Sequence, residues 1–474
     1  ERRESLVYHA KPRPGKIEVV PTKKYNSQRD LAIAYSPGVA IPCQEIEKDP
    51  STVYKYTNKS NLVAVISNGT AVLGLGDIGP AASKPVMEGK ALLFKIFADI
   101  DVFDIEINEK DPDKFIDVVK SISTTFGGIN LEDIKAPEAF KIEKELVDQL
   151  DIPVMHDDQH GTAIISAAAL LNALELVDKN IKDVKIVVSG AGAAAIACTN
   201  LYISFGAQLK NILMTDSKGV INKSREGLSK EKKYFATIKK IDTLEQAMVD
   251  SDVFIGLSMA NILSEKMLKT MSRDPIVFAM ANPDPEISYD KAMSVRNDII
   301  FATGRSDLPN QVNNVLGFPF IFRGALDVRA TKINEEMKKA AVVALAELAK
   351  KPVPEQVNIA YDETKLNFGK DYIIPKPFDP RLISEIPPAV AKAAIDSGVA
   401  QEPITDWDKY TQILDERLGN NQKLIRIIHR RARKAKEKKL VFTEADHLDV
   451  LKAAQICFEE KIAEPILLGG KKNN

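Results

Sequence analysis

Two pairs of adjacent carboxylates, Glu132-Asp133 and Asp157-Asp158, each follow an apolar stretch, where a bare charge is costly to bury. Converging carboxylates suit a hard divalent ion such as Mg2+ or Mn2+, which takes oxygen ligands. Two solvated turns with helix-capping acids would use the same residues, and the letters alone leave both readings open. The second pair lies within His156-Asp157-Asp158-Gln159-His160, one letter from the His-Glu-x-x-His helix of zinc hydrolases. That motif needs both histidines on one helix. Pro153 just upstream and Gly161 just after give a strand-to-helix junction instead, so zinc hydrolysis is set aside. Tyr35, ahead of the Pro37-Gly38 turn, and Lys90 offer a phenol and an amine. By residue type alone they read as a core or turn tyrosine and a surface lysine on an amphipathic helix.

Two glycine-rich runs could cradle a dinucleotide. Gly74-Leu75-Gly76-Asp77-Ile78-Gly79 fits the letters G-x-G-x-x-G, whereas Gly190-Ala191-Gly192-Ala193-Ala194-Ala195 has alanine in the last glycine position. The fingerprint must close a strand and open a helix, because the pyrophosphate sits on the helix N-terminus. Pro80, Pro85 and Gly89 follow the first run and make poor helix interior. The second run follows the buried-strand pattern Ile186-Val187-Val188 and leads into ten residues free of Gly and Pro, 193–202. Asp216 stands 24 residues beyond Gly192, at a predicted strand end where a carboxylate can hold a ribose. The second run is therefore the predicted cofactor loop. Asp216 alone favours NAD, because a carboxylate repels a 2′-phosphate. Ser217 and Lys218 could accommodate that phosphate, so the choice stays open.

The elements that must position these groups follow from apolar periodicity. Leu62–Ser67, Asn68-Gly69 and residues 70–73 read as a hairpin, with Asn-Gly supplying a type I′ turn. Residues 102–107 alternate like a half-buried strand, and 112–122 read as a helix. From 161 onward strands and helices alternate: helices over 162–177 and 193–205, strands at 184–189, 211–215, 253–256 and 275–279. Near-continuous apolar strands in that rhythm indicate a parallel sheet covered on both faces. Residues 374–388 hold five prolines and read as extended. A helix near 407–418 leads into the basic run 423–439, read as a solvated linker helix rather than a polyanion site. The tail reads as strand 440–442, helix 443–461 with Thr443 and Asp446 at its cap, and strand 465–468. One such unit cannot cover its own sheet, so the chain is expected to stop inside a further α/β domain.

Composition narrows the function classes. The chain has 474 residues, 45% hydrophobic and 28% charged, with a formal net charge of −1. That length suggests roughly two to four domains, and the near-neutral charge provides no global field toward nucleic acid or an anionic membrane. The most apolar stretch, 185–205, is amphipathic and interrupted by glycines, so no membrane span is expected. Cys43, Cys198 and Cys457 are widely spaced and odd in number, which suits a reducing, cytoplasmic setting.

Several blocks together resemble the bacterial malic enzymes. They are Ala34-Tyr35-Ser36-Pro37-Gly38-Val39-Ala40, residues 68–79, Gly89-Lys90, Asn130-Leu131-Glu132-Asp133, residues 156–163, residues 188–194, Ala281-Asn282-Pro283 and Gln311-Val312-Asn313-Asn314. The resemblance covers roughly residues 10–400. The tail from about Lys423 resembles the start of a phosphotransacetylase domain, as in the large hybrid malic enzymes, which usually use NADP. The resemblance implies oxidative decarboxylation of (S)-malate to pyruvate and CO2 with NADP (or NAD) and Mg2+ or Mn2+. It implies Lys90 as the general base on the malate hydroxyl and Tyr35 as the general acid on enolpyruvate. It implies Glu132, Asp133 and Asp158 as metal ligands, and Ala191, Ala193 and Ala194 beside Gly190 and Gly192 as cofactor contacts. Asn282 and Asn314 are implied at the cofactor, and Asn282 and Asn313 at the substrate. Eukaryotic members place an arginine for a substrate carboxylate where this chain has Ala71.

The expected fold class is α/β. An N-terminal α/β substrate and metal domain, 1–160, precedes a Rossmann-type, doubly wound parallel-sheet NAD(P) domain, 161–400. A helical linker, 401–439, and a partial C-terminal α/β unit, 440–474, follow. A dimer or larger homo-oligomer is expected, as for most soluble oligomers, with no nucleic-acid or membrane partner. In the hybrid family the C-terminal domain carries regulation by acetyl-CoA, so this chain is expected to respond weakly to it. The rival readings are a metal-independent amino-acid dehydrogenase, which needs no carboxylate cluster, and a non-catalytic acyl-CoA or nucleotide sensor built around the tail.

Overall fold

The computed structural model describes residues 2–72, 74–361, 366–417, 438–459 and 462–469. Four strands, β1 (Leu62–Ser67), β2 (Asp101–Glu106), β3 (Gly128–Leu131) and β4 (Val154–His156), form a first sheet in the order β2-β1-β3-β4, every pair parallel. All six residues of β1 are buried, as expected for a central parallel strand covered on both faces.

The expected hairpin after β1 does not form, because both edges of β1 are taken, by β2 and by β3. A type I′ turn needs two residues at positive φ, and of Asn68-Gly69 only Gly69 has it, at +66°. The chain leaves the sheet instead: the Ala71 N–H donates to the Asp133 carbonyl, and Val72 bridges Gly76. A 19-residue helix, Pro80–Ala98, then leads back to β2. The prolines after Gly79 therefore do not bar a helix, contrary to expectation. Pro80 takes the first turn, where its missing N–H is not needed, and the buried Met87, Ala91 and Phe94 hold the helix through Pro85 and Gly89. What separates the first glycine run from a cofactor loop is that a loop, not a strand, precedes it.

The second sheet contains β5 (Ile186–Ser189), β6 (Ile212–Asp216), β7 (Gly219–Val220), β8 (Val253–Gly256), β9 (Ile276–Ala279) and β10 (Ile300–Thr303), in the order β10-β9-β8-β5-β6-β7. All pairs are parallel except β6 with β7. Alternate residues face two separate cores: Ile186, Val188, Ile255 and Phe278 one way, Val187, Phe254 and Val277 the other. This is the doubly wound arrangement that the apolar strands predict. β7 and β10 lay outside the sequence reading.

The helix Asp157–Leu176 is buried along most of its length. It starts five residues before the predicted position, so Gly161 lies inside it. The expected extended segment 374–388 turns helical from Leu382: the helix Leu382–Asp396 runs through Pro387 and Pro388. Its Ile383, Ile386 and Val390 are buried, and it passes so close to Gly324 that a Cβ there would lie 2.6 Å from the Pro387 carbonyl oxygen and 2.9 Å from Val390 Cβ. Packing outweighs the lost backbone bonds. In the tail, β11 (Lys439–Phe442) pairs in parallel with β12 (Glu464–Leu467) around a helix, Leu448–Glu459. That helix begins after Thr443 and Asp446, which sit in the preceding turn rather than at its cap. The basic run 423–437 lies outside the described residues. No helix among the described residues is long and apolar enough to cross a membrane. At the other end, none of the described residues before Leu62 is buried.

Candidate active site

The acidic pairs stand at strand ends. Glu132-Asp133 directly follow β3, and Asp157-Asp158 open the helix after β4. In a parallel sheet these ends share one edge, and a ligand crevice opens where neighbouring strands lead off in opposite directions, here between β1 and β3. Glu132, Asp133 and Asp158 each present an oxygen within 4.8 Å of the others. Asp133 sits at φ +53°, a region aspartate tolerates better than most residues. Its N–H donates to Asp158 Oδ2 at 2.8 Å, which ties the two pairs together.

Lys90 is no surface lysine: its side chain is 10% exposed. Nζ lies 2.7 Å from Asp157 Oδ2, 2.9 Å from Glu132 Oε1 and 4.3 Å from the centre of the Phe318 ring. Burial pulls the amine's pKa down, but the carboxylates of Asp157, Glu132 and Asp158 outweigh it and hold the amine above the usual lysine value. Burial and the neighbouring Asp158, Asp157 and Asp133 push the Glu132 carboxyl well up, against the pull of Lys90. Burial also raises Asp157, against Lys90. Four carboxylates around one ammonium leave the cluster short of positive charge. An all-carboxylate donor set fits a hard divalent cation.

Asn314 donates to Asp157 Oδ2 at 3.2 Å and accepts from Thr162 Oγ1 at 2.9 Å. Gly161 makes this approach possible, since a Cβ there would lie 2.1 Å from Asp157 Oδ1. Asn313 turns its Oδ1 to the Val315 N–H, capping the short 314–316 turn. His160 pairs with Glu143 at 3.0 Å and meets Lys338 at 3.1 Å. The same Glu143 accepts the His156 N–H at 2.8 Å. Among the described residues, the groups placed to hold a metal include neither histidine.

The second glycine run closes a strand and opens a helix, the geometry expected of it. β5 ends in Ser189, Gly190 follows at φ +118°, and Gly192 caps the helix Ala193–Ser204. A Cβ on Gly190 would lie 2.4 Å from the Leu257 carbonyl oxygen, so only glycine lets the β5 and β8 loops meet. No side chain caps that helix start, which leaves the backbone N–H groups of Ala193 and Ala194 for an anion. Asp216, at the end of β6, accepts from Arg225 Nη2 at 2.9 Å, Lys232 Nζ at 3.1 Å and the Lys218 N–H at 2.9 Å. Asn282 follows β9, and its carbonyl oxygen would lie 3.2 Å from a Cβ on Gly74, so the first glycine run packs on the loop after β9.

Several residues escaped sequence reasoning. The buried Glu286 accepts the N–H groups of Ser258 and Ala281, 3.0 Å each, and so pins the loops after β8 and β9. No local signal marks it. Arg225 and Lys232 come from the loop and the short helix that follow Asp216, Phe318 from a helix start far along the chain, and Thr162 reads only as a helix residue. One predicted residue stands apart. Tyr35 ends the helix Gln28–Ala34 and is 78% exposed, and none of the hydrogen bonds described above reaches its phenol.

Residues 14–147 match the malic enzyme N-terminal domain, 159–363 the malic enzyme NAD binding domain, and 423–474 the phosphate acetyl/butaryl transferase family. An NADP-dependent malic enzyme of Salmonella typhimurium is 58% identical over 99% of this chain and 62% of its own length. One of Halomonas elongata is 57% identical over 85% of this chain and 96% of its own. The crystal structure of a malic enzyme from Pyrococcus horikoshii superposes with a TM-score of 0.81 at 39% identity, over 91% of this chain and 98% of that one. The chain thus spans 62% of the length of the relative from Salmonella typhimurium.

Proposed function

The chain belongs to the malic enzyme family, and from that premise we propose that it converts (S)-malate to pyruvate and CO2, with hydride transfer to NADP and a divalent metal ion at the carboxylate cluster. The observation that carries this reading is the buried Lys90 amine, held between Asp157 and Glu132 beside the Glu132–Asp133–Asp158 cluster.

Glu132, Asp133 and Asp158 would hold Mg2+ or Mn2+, which when bound supplies Lewis acidity and the positive charge that offsets the carboxylates around Lys90. Gly190 to Ala194 and Asn282 would bind NADP, which when bound supplies the hydride acceptor. Once the metal's charge offsets the carboxylates and the amine has shed its own proton, Lys90 Nζ would take the proton of the C2 hydroxyl as hydride leaves C2. Asp157 orients the amine, and Asn314 orients Asp157. Asn313 and Asn282 serve the substrate side. After loss of CO2 a proton must return to C3; Tyr35, exposed and apart from the cluster within one chain, would deliver it only when assembly brings its segment to a cleft. The cations around Asp216 favour NADP: Arg225 and Lys232 neutralise the carboxylate that would repel a 2′-phosphate. The domain limits proposed are 1–160 for the substrate and metal domain and 161–400 for the NAD(P) domain, with catalysis in the cleft between them.

We also propose a homo-oligomer. Leu6, Val19, Leu31, Ile33, Tyr35 and Ile41 are all exposed, an apolar surface of the kind that a second copy covers. The widely spaced cysteines fit a cytoplasmic setting.

The test is absorbance at the reduced-nicotinamide band with L-malate and Mn2+, comparing NADP with NAD, with and without EDTA. Reduction abolished by EDTA and matched by pyruvate supports the reading. Failure to reduce either cofactor refutes it. Sedimentation as a monomer at micromolar concentration would remove the oligomer.

A further inference from the structure

The helix Trp407–Arg417 makes two polar contacts that close a ring. Tyr410 OH donates to Asp327 Oδ2 at 2.9 Å, and Arg323 Nε donates to the same carboxylate at 3.0 Å. Arg323 Nη1 donates to Asn61 Oδ1 at 2.5 Å, and Asn61 Nδ2 donates to the Asp99 carbonyl at 2.9 Å. The Asp99 carboxylate pairs with Arg417 Nη1 at 3.1 Å, which returns the ring to the same helix. Tyr410 and Arg417 are two turns apart on one face, and Leu414, between them, is fully buried.

The two anchor points are the ends of the two helices that hold the Lys90 amine. Asp99 caps the C-terminus of the helix Pro80–Ala98, which carries Lys90. Asp327 ends the helix Phe318–Asp327, whose first residue lies under the amine at 4.3 Å. Between the anchors and the amine the helices are joined by Phe94, in edge contact with Phe318 at 4.7 Å and with Phe322 at 5.4 Å.

We propose that Tyr410 and Arg417 are positioning residues for Lys90: by tying down the far ends of both helices they set where the amine stands relative to the Phe318 ring and the carboxylates. Lys90 and Phe318 each lie nine residues from their anchor, about 13–14 Å along a helix. Over that lever a tilt of about 4° moves the amine by about 1 Å, enough to slow a reaction that depends on near-attack geometry by up to about a hundredfold. Arg323, 2% exposed, keeps its bonds to Asp327 and Asn61 without the Tyr410 and Arg417 contacts.

The proposal rests on the malate-oxidising reading, and the experiment separates the two. Tyr410→Phe, Arg417→Ala, Arg417→Lys and the Tyr410→Phe/Arg417→Ala double variant of the whole chain are compared with wild type and Lys90→Ala. Malate oxidation, which needs Lys90 as base, is measured beside oxaloacetate decarboxylation, which does not, and beside the melting temperature. The double variant should lose about ten- to a hundredfold in kcat for malate oxidation. Its oxaloacetate decarboxylation, KM for malate and melting temperature should stay near wild type, and Arg417→Lys should recover most of the rate. Equal loss in both reactions, loss that tracks the melting temperature, or no loss would overturn the positioning role. A folded wild type that fails to oxidise malate would overturn the reading beneath it instead.

Discussion

Lys232→Ala should convert the cofactor preference measurably. The Asp216 carboxyl is pushed up by partial burial, but Arg225, the Lys218 N–H and Lys232 outweigh that and hold it down to about 2. It is therefore a carboxylate clamped by two cations where the ribose 2′ group is expected. The clamp has a surplus of one positive charge, which a 2′-phosphate of about −1.5 to −2 can use. Arg225 also donates to the Gly219 and Val220 carbonyls, so its loss would disturb the loop as well as the charge. Lys232 is the cleaner target. A charge-assisted hydrogen bond contributes about 1.5–3 kcal/mol. Lys232 is 30% exposed, so the lower half of that range applies, about 1.5–2 kcal/mol after screening. That corresponds to a loss of roughly 10- to 30-fold in kcat/KM for NADP. NAD carries no phosphate to lose, and the less encumbered Asp216 can accept from its 2′-hydroxyl, so kcat/KM for NAD should hold or rise. Steady-state rates with both cofactors at saturating malate decide the matter. An unchanged NADP-to-NAD ratio, or an equal fall with both, would show that Lys232 does not read the 2′ position.

Three further outcomes follow from the geometry. Burial would raise Glu143, but His160, Lys338 and His156 outweigh it and hold it at about 2. A folded value below the unfolded one stabilises above about pH 4.5 and loses that stabilisation as pH falls toward 2. The excess stability of wild type over Glu143→Gln, about 3 kcal/mol near pH 5, should shrink across that window in urea titrations, and a flat difference would contradict the ion pairs. Gly190→Ala should cost about 2–3 kcal/mol through its positive φ and its approach to Leu257; an unshifted melting curve would show that the loops do not meet. Glu286→Ala leaves the N–H groups of Ser258 and Ala281 without their acceptor and should cost about 2–4 kcal/mol, with a raised KM for NADP; an unaltered KM would detach Glu286 from the cofactor loops.

The second sheet was legible because its strands are apolar throughout and its cofactor loop needs glycine for a visible reason. The first sheet was not, because Asn68-Gly69 carries a strong local turn signal that the central position of β1 overrides. The prolines at 80, 85, 387 and 388 misled for a related reason: local breakers yield to helices anchored by buried side chains such as Phe94 and Val390. At the site, the acidic pairs Glu132-Asp133 and Asp157-Asp158 stood out after apolar runs, but their letters fitted solvated turns equally well, and the set Glu132, Asp133 and Asp158 followed only from the family resemblance. Lys90 did not stand out, since one lysine on an amphipathic helix looks like any other until Asp157 is found beside it. Glu286 reaches the loop after β8 from 28 residues away, and Arg225, nine residues past Asp216, looks like any other loop arginine; nothing in their neighbours marks them.

The N-terminal segment has a thermodynamic consequence. None of the described residues before Leu62 is buried within one chain, so most of that segment adds little apolar burial to an isolated copy. Whatever covers it binds the folded state alone, and mass action then links folding to protein concentration. Diluted protein should melt lower than concentrated protein, and protease should cut first within residues 2–57, taking Tyr35 with the fragment. Activity that fades on dilution while the two sheets stay folded would mark this segment as the element that assembly, rather than folding, puts in order.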